Sequence, residues 1–141
     1  VLAARSASFI QSFARVGLVP DSGGTWFLPR LVGDARGRGL ALLAEPLPAE
    51  KAEQWGLIWK CVDDAALAGE AQKLCEHFAA APTQGLALIK RALNASSANT
   101  LDAQLDLERE SQRAASLTPD YAEGVRAFME KRKPNFTGRK K

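Results

Sequence analysis

A lone carboxylate in a glycine-rich loop is the feature of this sequence best suited to chemistry. Asp21 stands in Gly17-Leu18-Val19-Pro20-Asp21-Ser22-Gly23-Gly24. A carboxylate whose pKa is raised by apolar surroundings can take a proton from one carbon and return it to another. The two glycines that follow allow a tight turn and a close approach of backbone to ligand. Taken alone, Pro20–Gly23 reads more readily as a plain turn in which Asp21 bonds its own backbone. The other reactive side chains offer less. His77 is the only histidine and has no evident partner, which argues against a Ser/His/Asp hydrolase. Cys61 and Cys75 form no C-x-x-C pair and read as reduced, structural thiols, Cys75 lying with Leu74 and Phe78 on an apolar helical stripe. No His, Cys and carboxylate cluster has metal spacing. Trp26 and Phe27 suit either an acyl pocket or packing, while Trp55 and Trp59 read as core.

The elements that must position Asp21 follow from turn signals and periodicity. One or two short strands are expected in the first eleven residues. A helix is expected from Thr25 to Val32 with Pro29 near an end or distorting it. A second helix, capped by Asp34, should run to about Ala44. Pro48 suits the first position of a short helix ending at Trp55 and Gly56. Leu57–Val62 reads as one strand. Four helices are then expected. The first is capped by Asp63 or Asp64; the second carries Leu86, Ile89 and Leu93, and the third Leu101, Leu105 and Leu107. The last opens at Thr118-Pro119-Asp120 and runs out near Lys133-Pro134. Two or three isolated strands do not make a stable sheet, so the simplest expectation is that the rest of the sheet lies outside these residues.

The 141 residues are 46% hydrophobic and 25% charged, as in an ordinary soluble domain. No apolar run approaches the roughly 20 residues needed to cross a bilayer, and no secretory signal is visible, so no membrane partner and a cytoplasmic location are expected. The start at Val1 suggests a processed, cleaved or incompletely represented polypeptide. The net charge of +3 is concentrated in the tail: Glu130–Lys141 holds six Lys/Arg and one acid, leaving 13 basic against 15 acidic residues elsewhere. A short basic tail on a mildly acidic body suits a solvated terminus or a phosphate-bearing small ligand, not a nucleic-acid footprint.

Several separated blocks, in order, resemble the enoyl-CoA hydratase/isomerase (crotonase) superfamily. They are Ala7-Ser8-Phe9, Gly17 to Thr25 with Leu28-Pro29-Arg30, Ala49 to Leu57, and Glu123-Gly124-Val125-Arg126-Ala127-Phe128-Met129-Glu130-Lys131-Arg132-Lys133-Pro134-Asn135-Phe136. The pairing of Pro20–Trp26 with Leu105–Glu110 is similar to the branch that isomerises ring-epoxidised phenylacetyl-CoA in bacterial phenylacetate degradation.

The resemblance implies an α-rich α/β fold, the C-terminal part of a crotonase-like ββα spiral, with residues 1–62 completing the spiral core and 63–141 forming a helical oligomerisation region. It implies an acyl-CoA isomerase, acting by double-bond or epoxide/oxepin isomerisation with Asp21 moving the proton. Coenzyme A enters as part of the substrate, and no separate cofactor is expected. Trp26, Phe128 and Lys131 are implied in substrate binding, the latter two at the coenzyme A nucleotide, although Phe128 reads equally as helix core and Lys131 as solvent-facing, and the assembly is expected to be a homotrimer or hexamer. Hydratases of this family carry a second glutamate where Phe13 stands, which favours isomerisation over hydration. The oxyanion-hole donors belong to the family's other half, so the 141 residues alone are expected to be inactive. The alternatives are a non-catalytic helical self-association module and an enoyl-CoA hydratase.

Overall fold

The computed structural model describes residues 1–139; Lys140 and Lys141, the last two cations of the basic tail, lie outside the described residues. Two compact units divide the chain, Val1–Gln72 and the residues from Lys73 on.

In the first unit, strand β1 (Leu2–Ala4) pairs in parallel with β4 (Lys60–Val62), Ala3 opposite Cys61. Strand β2 (Ser8–Phe9) pairs antiparallel with β3 (Leu47–Pro48), Phe9 opposite Leu47. Each sheet has two strands, fewer than an independent sheet needs. Their stability comes from helices α1 (Gly24–Val32), α2 (Asp34–Leu43) and α3 (Ala49–Gln54), which place Leu28, Val32, Leu40, Ala49 and Ala52 in a common core with Ala3, Leu47 and Ile58. Helix α2 comes so close to α1 that its Gly37 is buried: a Cβ there would stand 3.0 Å from the Pro29 Cα. Beyond β1, Arg5 is paired to Glu50 and, at 2.9 Å, to Asp63, and Ser6 donates to Asp64, tying the strand's end to α3 and to the turn after β4. These donors hold the Asp64 carboxyl below its ordinary pKa, the Ser6 hydroxyl contributing most.

The second unit stacks α5 (Thr83–Ser96), α6 (Leu101–Ser116) and α7 (Pro119–Met129) in sequence. Helix α4 (Leu67–Ala79) spans the division between the units. The cap foreseen at Thr118 is made, its Oγ1 accepting from the Tyr121 N–H at 3.2 Å; a second cap, not foreseen, is Thr100, whose Oγ1 accepts from Ala103 at 3.3 Å, whereas Asp63 makes no side-chain cap bond. No described helix is long and apolar enough to cross a membrane.

Pro29 lies in the last turn of α1, near an end as expected, four residues before the cap Gly33, whose N–H donates to the Pro29 carbonyl at 2.9 Å. Several other local expectations need correction. Asp34 is the first helical residue rather than the cap, and spends its carboxylate on Arg38 at 2.7 Å. Pro48 precedes α3 in extended conformation, paired with Ser8. The expected strand Leu57–Val62 starts only at Lys60, because Gly56 turns left-handed and the Leu57 N–H stays bonded to the Ala52 carbonyl at 2.9 Å. Trp59 is consequently 76% exposed, not core, whereas Trp55 packs against the core. Cys75 and Phe78 are likewise exposed on α4.

Candidate active site

The chain enters the Asp21 loop through a 3-10 turn, Ser12–Val16, closed by Gly17 in left-handed conformation. Phe13, half-buried, accepts the Leu18 N–H at its carbonyl at 3.0 Å. At the loop's exit Ser22 (φ 50°) and Gly23 (φ 82°) are both left-handed. That pair of residues reverses the backbone, and the Asp21 carbonyl accepts the Gly24 N–H at 2.7 Å. The Gly23 carbonyl then accepts from Trp26 and Phe27, both at 2.9 Å, which starts α1. A Cβ on Gly23 would fall 2.9 Å from the Phe27 ring, so the glycine is required both by its φ and by the ring lying over it.

This reversal presents the Asp21 side chain at the surface. The apolar pocket expected around the carboxylate is not formed; Asp21 is exposed. Trp26 follows on the first turn of α1, 45% exposed, and is held in place by Arg30 one turn on. The guanidinium carbon lies 3.3 Å from the ring centroid, and Nη1 donates to the Trp26 carbonyl at 3.0 Å. The stack was not foreseen, although the i, i+4 spacing of an arginine and a tryptophan on a helix is its signal.

Asp21 and Trp26 thus share one loop–helix junction in the first unit. Phe128 and Lys131 lie at the end of α7 in the second. Phe128 is 82% exposed, and Lys131 takes a left-handed backbone (φ 53°) just past the helix, its N–H donating to the Phe128 carbonyl at 3.2 Å. Phe128 also lines a cavity of about 410 Å³ with Pro82, Tyr121, Val125 and Phe136. His77 is exposed, its ring edge-on to Phe78 at 5.4 Å. Among the described residues no group of three or more His, Cys, Asp or Glu could hold a metal ion.

The model of the family described as enoyl-CoA hydratase/isomerase matches residues 1–139. The chain belongs to that family. Among its relatives, the 1,2-epoxyphenylacetyl-CoA isomerase of Escherichia coli is 58% identical over 139 residues, 99% of this chain and 53% of that protein. A probable enoyl-CoA hydratase of Rhodobacter capsulatus is 48% identical, covering 99% of this chain and 54% of its own length. Among solved structures, an enoyl-CoA hydratase/isomerase from Cupriavidus metallidurans superposes with a TM-score of 0.92 at 35% identity, over 100% of this chain and 53% of that one. The crotonase fold and the α-rich C-terminal portion of it are therefore those of this chain, which spans about half the length of the relatives it matches.

Proposed function

We propose that this chain is the Asp21-bearing part of an acyl-CoA isomerase. One observation carries the reading: the reversal at Ser22 and Gly23 presents a single carboxylate, and the family resemblance implies that hydratases carry their second glutamate where this sequence has Phe13. The similarity to the Escherichia coli isomerase supports it. In this mechanism the Asp21 carboxylate takes a proton from a carbon activated by the thioester, and the electron pair moves to the thioester oxygen as an enolate. The same carboxyl group returns the proton elsewhere, so the step needs neither water nor a redox partner. Phe13 and Trp26 help to exclude water from the completed site. Phe128 covers the adenine and Lys131 meets a phosphate of coenzyme A.

Asp21 is exposed in these residues, and on this reading the dry pocket is completed by chain beyond them. The oxyanion donors are assigned to that same portion, and loss of one such donor costs roughly 100- to 1,000-fold in rate. The 141 residues alone are accordingly expected to show no turnover. Self-association accompanies this reading: Ile89, Leu93 and Leu105 are exposed on α5 and α6 along a groove of about 580 Å³, a surface suited to a trimer or hexamer in the cytoplasm.

The test is Asp21→Asn in the family-length polypeptide. Isomerase kcat should fall by at least about 100-fold with little change in KM, since the lost group acts on the proton in flight. An Asn variant that keeps its rate removes Asp21 from the mechanism. The Rhodobacter capsulatus relative favours hydration as the second reading; a 3-hydroxyacyl-CoA product from a 2-enoyl-CoA would establish it against isomerisation.

A further inference from the structure

Helix α7 carries two carboxylates, one turn apart, that the chain turns back to meet. Asp120 is 2% exposed. Its Oδ1 accepts the Thr137 N–H at 2.8 Å and the Thr137 hydroxyl at 3.4 Å, and its Oδ2 accepts the Gly138 N–H at 2.9 Å. Glu123 accepts both arms of the Arg132 guanidinium, at 2.6 and 3.1 Å, and the Asn135 N–H at 2.9 Å. Between the two anchors the Phe136 ring rests on Gly124, where a Cβ would stand 3.5 Å away. The far end is held by Gln84, whose Nε2 donates to the Gly138 carbonyl at 3.2 Å.

The pairing runs backwards along the helix: Asn135 meets Glu123, and Thr137 and Gly138 meet Asp120. Residues 132–138 therefore form a strap lying antiparallel to α7, and Lys131 is the apex of the reversal. A lysine has no intrinsic preference for the left-handed backbone found there. The bonds on either side impose it, among them Arg132 N–H to the Ala127 carbonyl at 3.0 Å. A buried carboxylate is costly unless donors satisfy it. Asp120 is satisfied by the strap, and the proton transfer assigned to Asp21 makes no use of it.

We propose that Asp120 and Glu123 are positioning residues, which register the strap on α7 and so hold Lys131 at its apex to meet a phosphate of the coenzyme A nucleotide. The proposal rests on the acyl-CoA reading given above. An ordered apex spares the lysine the loss of backbone freedom on binding, and its loosening should weaken contact with the nucleotide alone.

The experiment combines amide hydrogen exchange with titration by two thioesters, one of coenzyme A and one of pantetheine, which lacks the nucleotide. It uses the family-length protein with Asp120→Asn, Asp120→Ala and Glu123→Gln. Gly138→Ala loosens the strap without touching a carboxylate, because its Cβ would fall 2.4 Å from the Thr83 hydroxyl. Amides of Asn135, Thr137 and Gly138 should exchange at least about tenfold faster while those of α6 are unchanged. Affinity for the coenzyme A thioester should drop about 5- to 10-fold and that for the pantetheine thioester stay constant. Unchanged exchange, or a loosened strap with undiminished coenzyme A affinity, overturns the proposal. Equal wild-type affinity for the two thioesters overturns it as well, since Lys131 would then contribute nothing. Wild-type protein that binds neither thioester would instead sink the acyl-CoA reading itself.

Discussion

Asp21, Gly37 and Glu123 show how differently single side chains are constrained in this chain. Asp21 is placed by its neighbours' backbone angles, and its own carboxylate is left at the surface. Gly37 is constrained by space. An alanine would gain up to about 1 kcal/mol of helix propensity, but its methyl would press on the Pro29 backbone at 3.0 Å, which cannot swing away. Overpacking of this kind costs about 1–3 kcal/mol, so Gly37→Ala should be destabilising on balance, read as a lower urea midpoint. A midpoint at or above that of the wild type would show that α1 and α2 separate freely. Glu123 is constrained by charge: the Arg132 guanidinium, helped by the Asn135 N–H, lowers its pKa from 4.5 to about 2. The folded value lies below the unfolded one, so the associated stability is whole above about pH 5, shrinks as pH falls below 4.5, and is gone once pH passes about 2. Acid titration followed by amide exchange should show Asn135 losing protection over that window in the wild type and not in Glu123→Gln. A strap whose protection is flat to pH 2 in both would remove Glu123 as its anchor.

Elements in the two units draw on different sources of stability. The helices of the second unit are legible from caps and stripes. Thr118, Pro119 and Asp120 were readable as a helix start, and both the hydroxyl cap and the first-position proline are there. What composition could not reveal is that Asp120 also anchors a strap from seventeen residues away, since no local pattern records a tertiary partner. In the first unit the strands have two or three residues each, too few for alternation to be read. Their pairing depends on α1, α2 and α3 covering them. Leu57 and Ile58 illustrate the failure: β propensity favoured a strand, but their N–H groups donate to the Ala52 carbonyl and keep them wrapped on the end of α3, and only from Trp59, whose N–H donates to the Val1 carbonyl, does the chain turn to β1.

Across both units the core is thin for the apolar surface that remains. Among the described residues no large side chain is less than 2% exposed, while Leu18, Val19, Phe27 and Leu31 in the first unit and Leu93, Leu105 and Phe128 in the second stand at 50% exposure or more. Apolar surface in contiguous patches favours association. The 141-residue chain should therefore sediment as species heavier than its 15.2 kDa monomer at micromolar concentration. A monodisperse monomer in sedimentation velocity would mean that these side chains are individually tolerated by water and do not form an interface.

The order of the motifs was sufficient to identify the family, because turn glycines, caps and a loop carboxylate are local requirements written into adjacent residues. The α-rich composition, the Asp21 loop and the final helix were legible for the same reason. Only the tertiary structure decided that Asp21 is exposed, that Trp26 lies under Arg30, that Trp59 faces water, and that residues 132–138 return along α7 to two carboxylates. Each of those outcomes depends on which distant atoms come within hydrogen-bond or van der Waals reach, and residue order fixes that only through the packed chain.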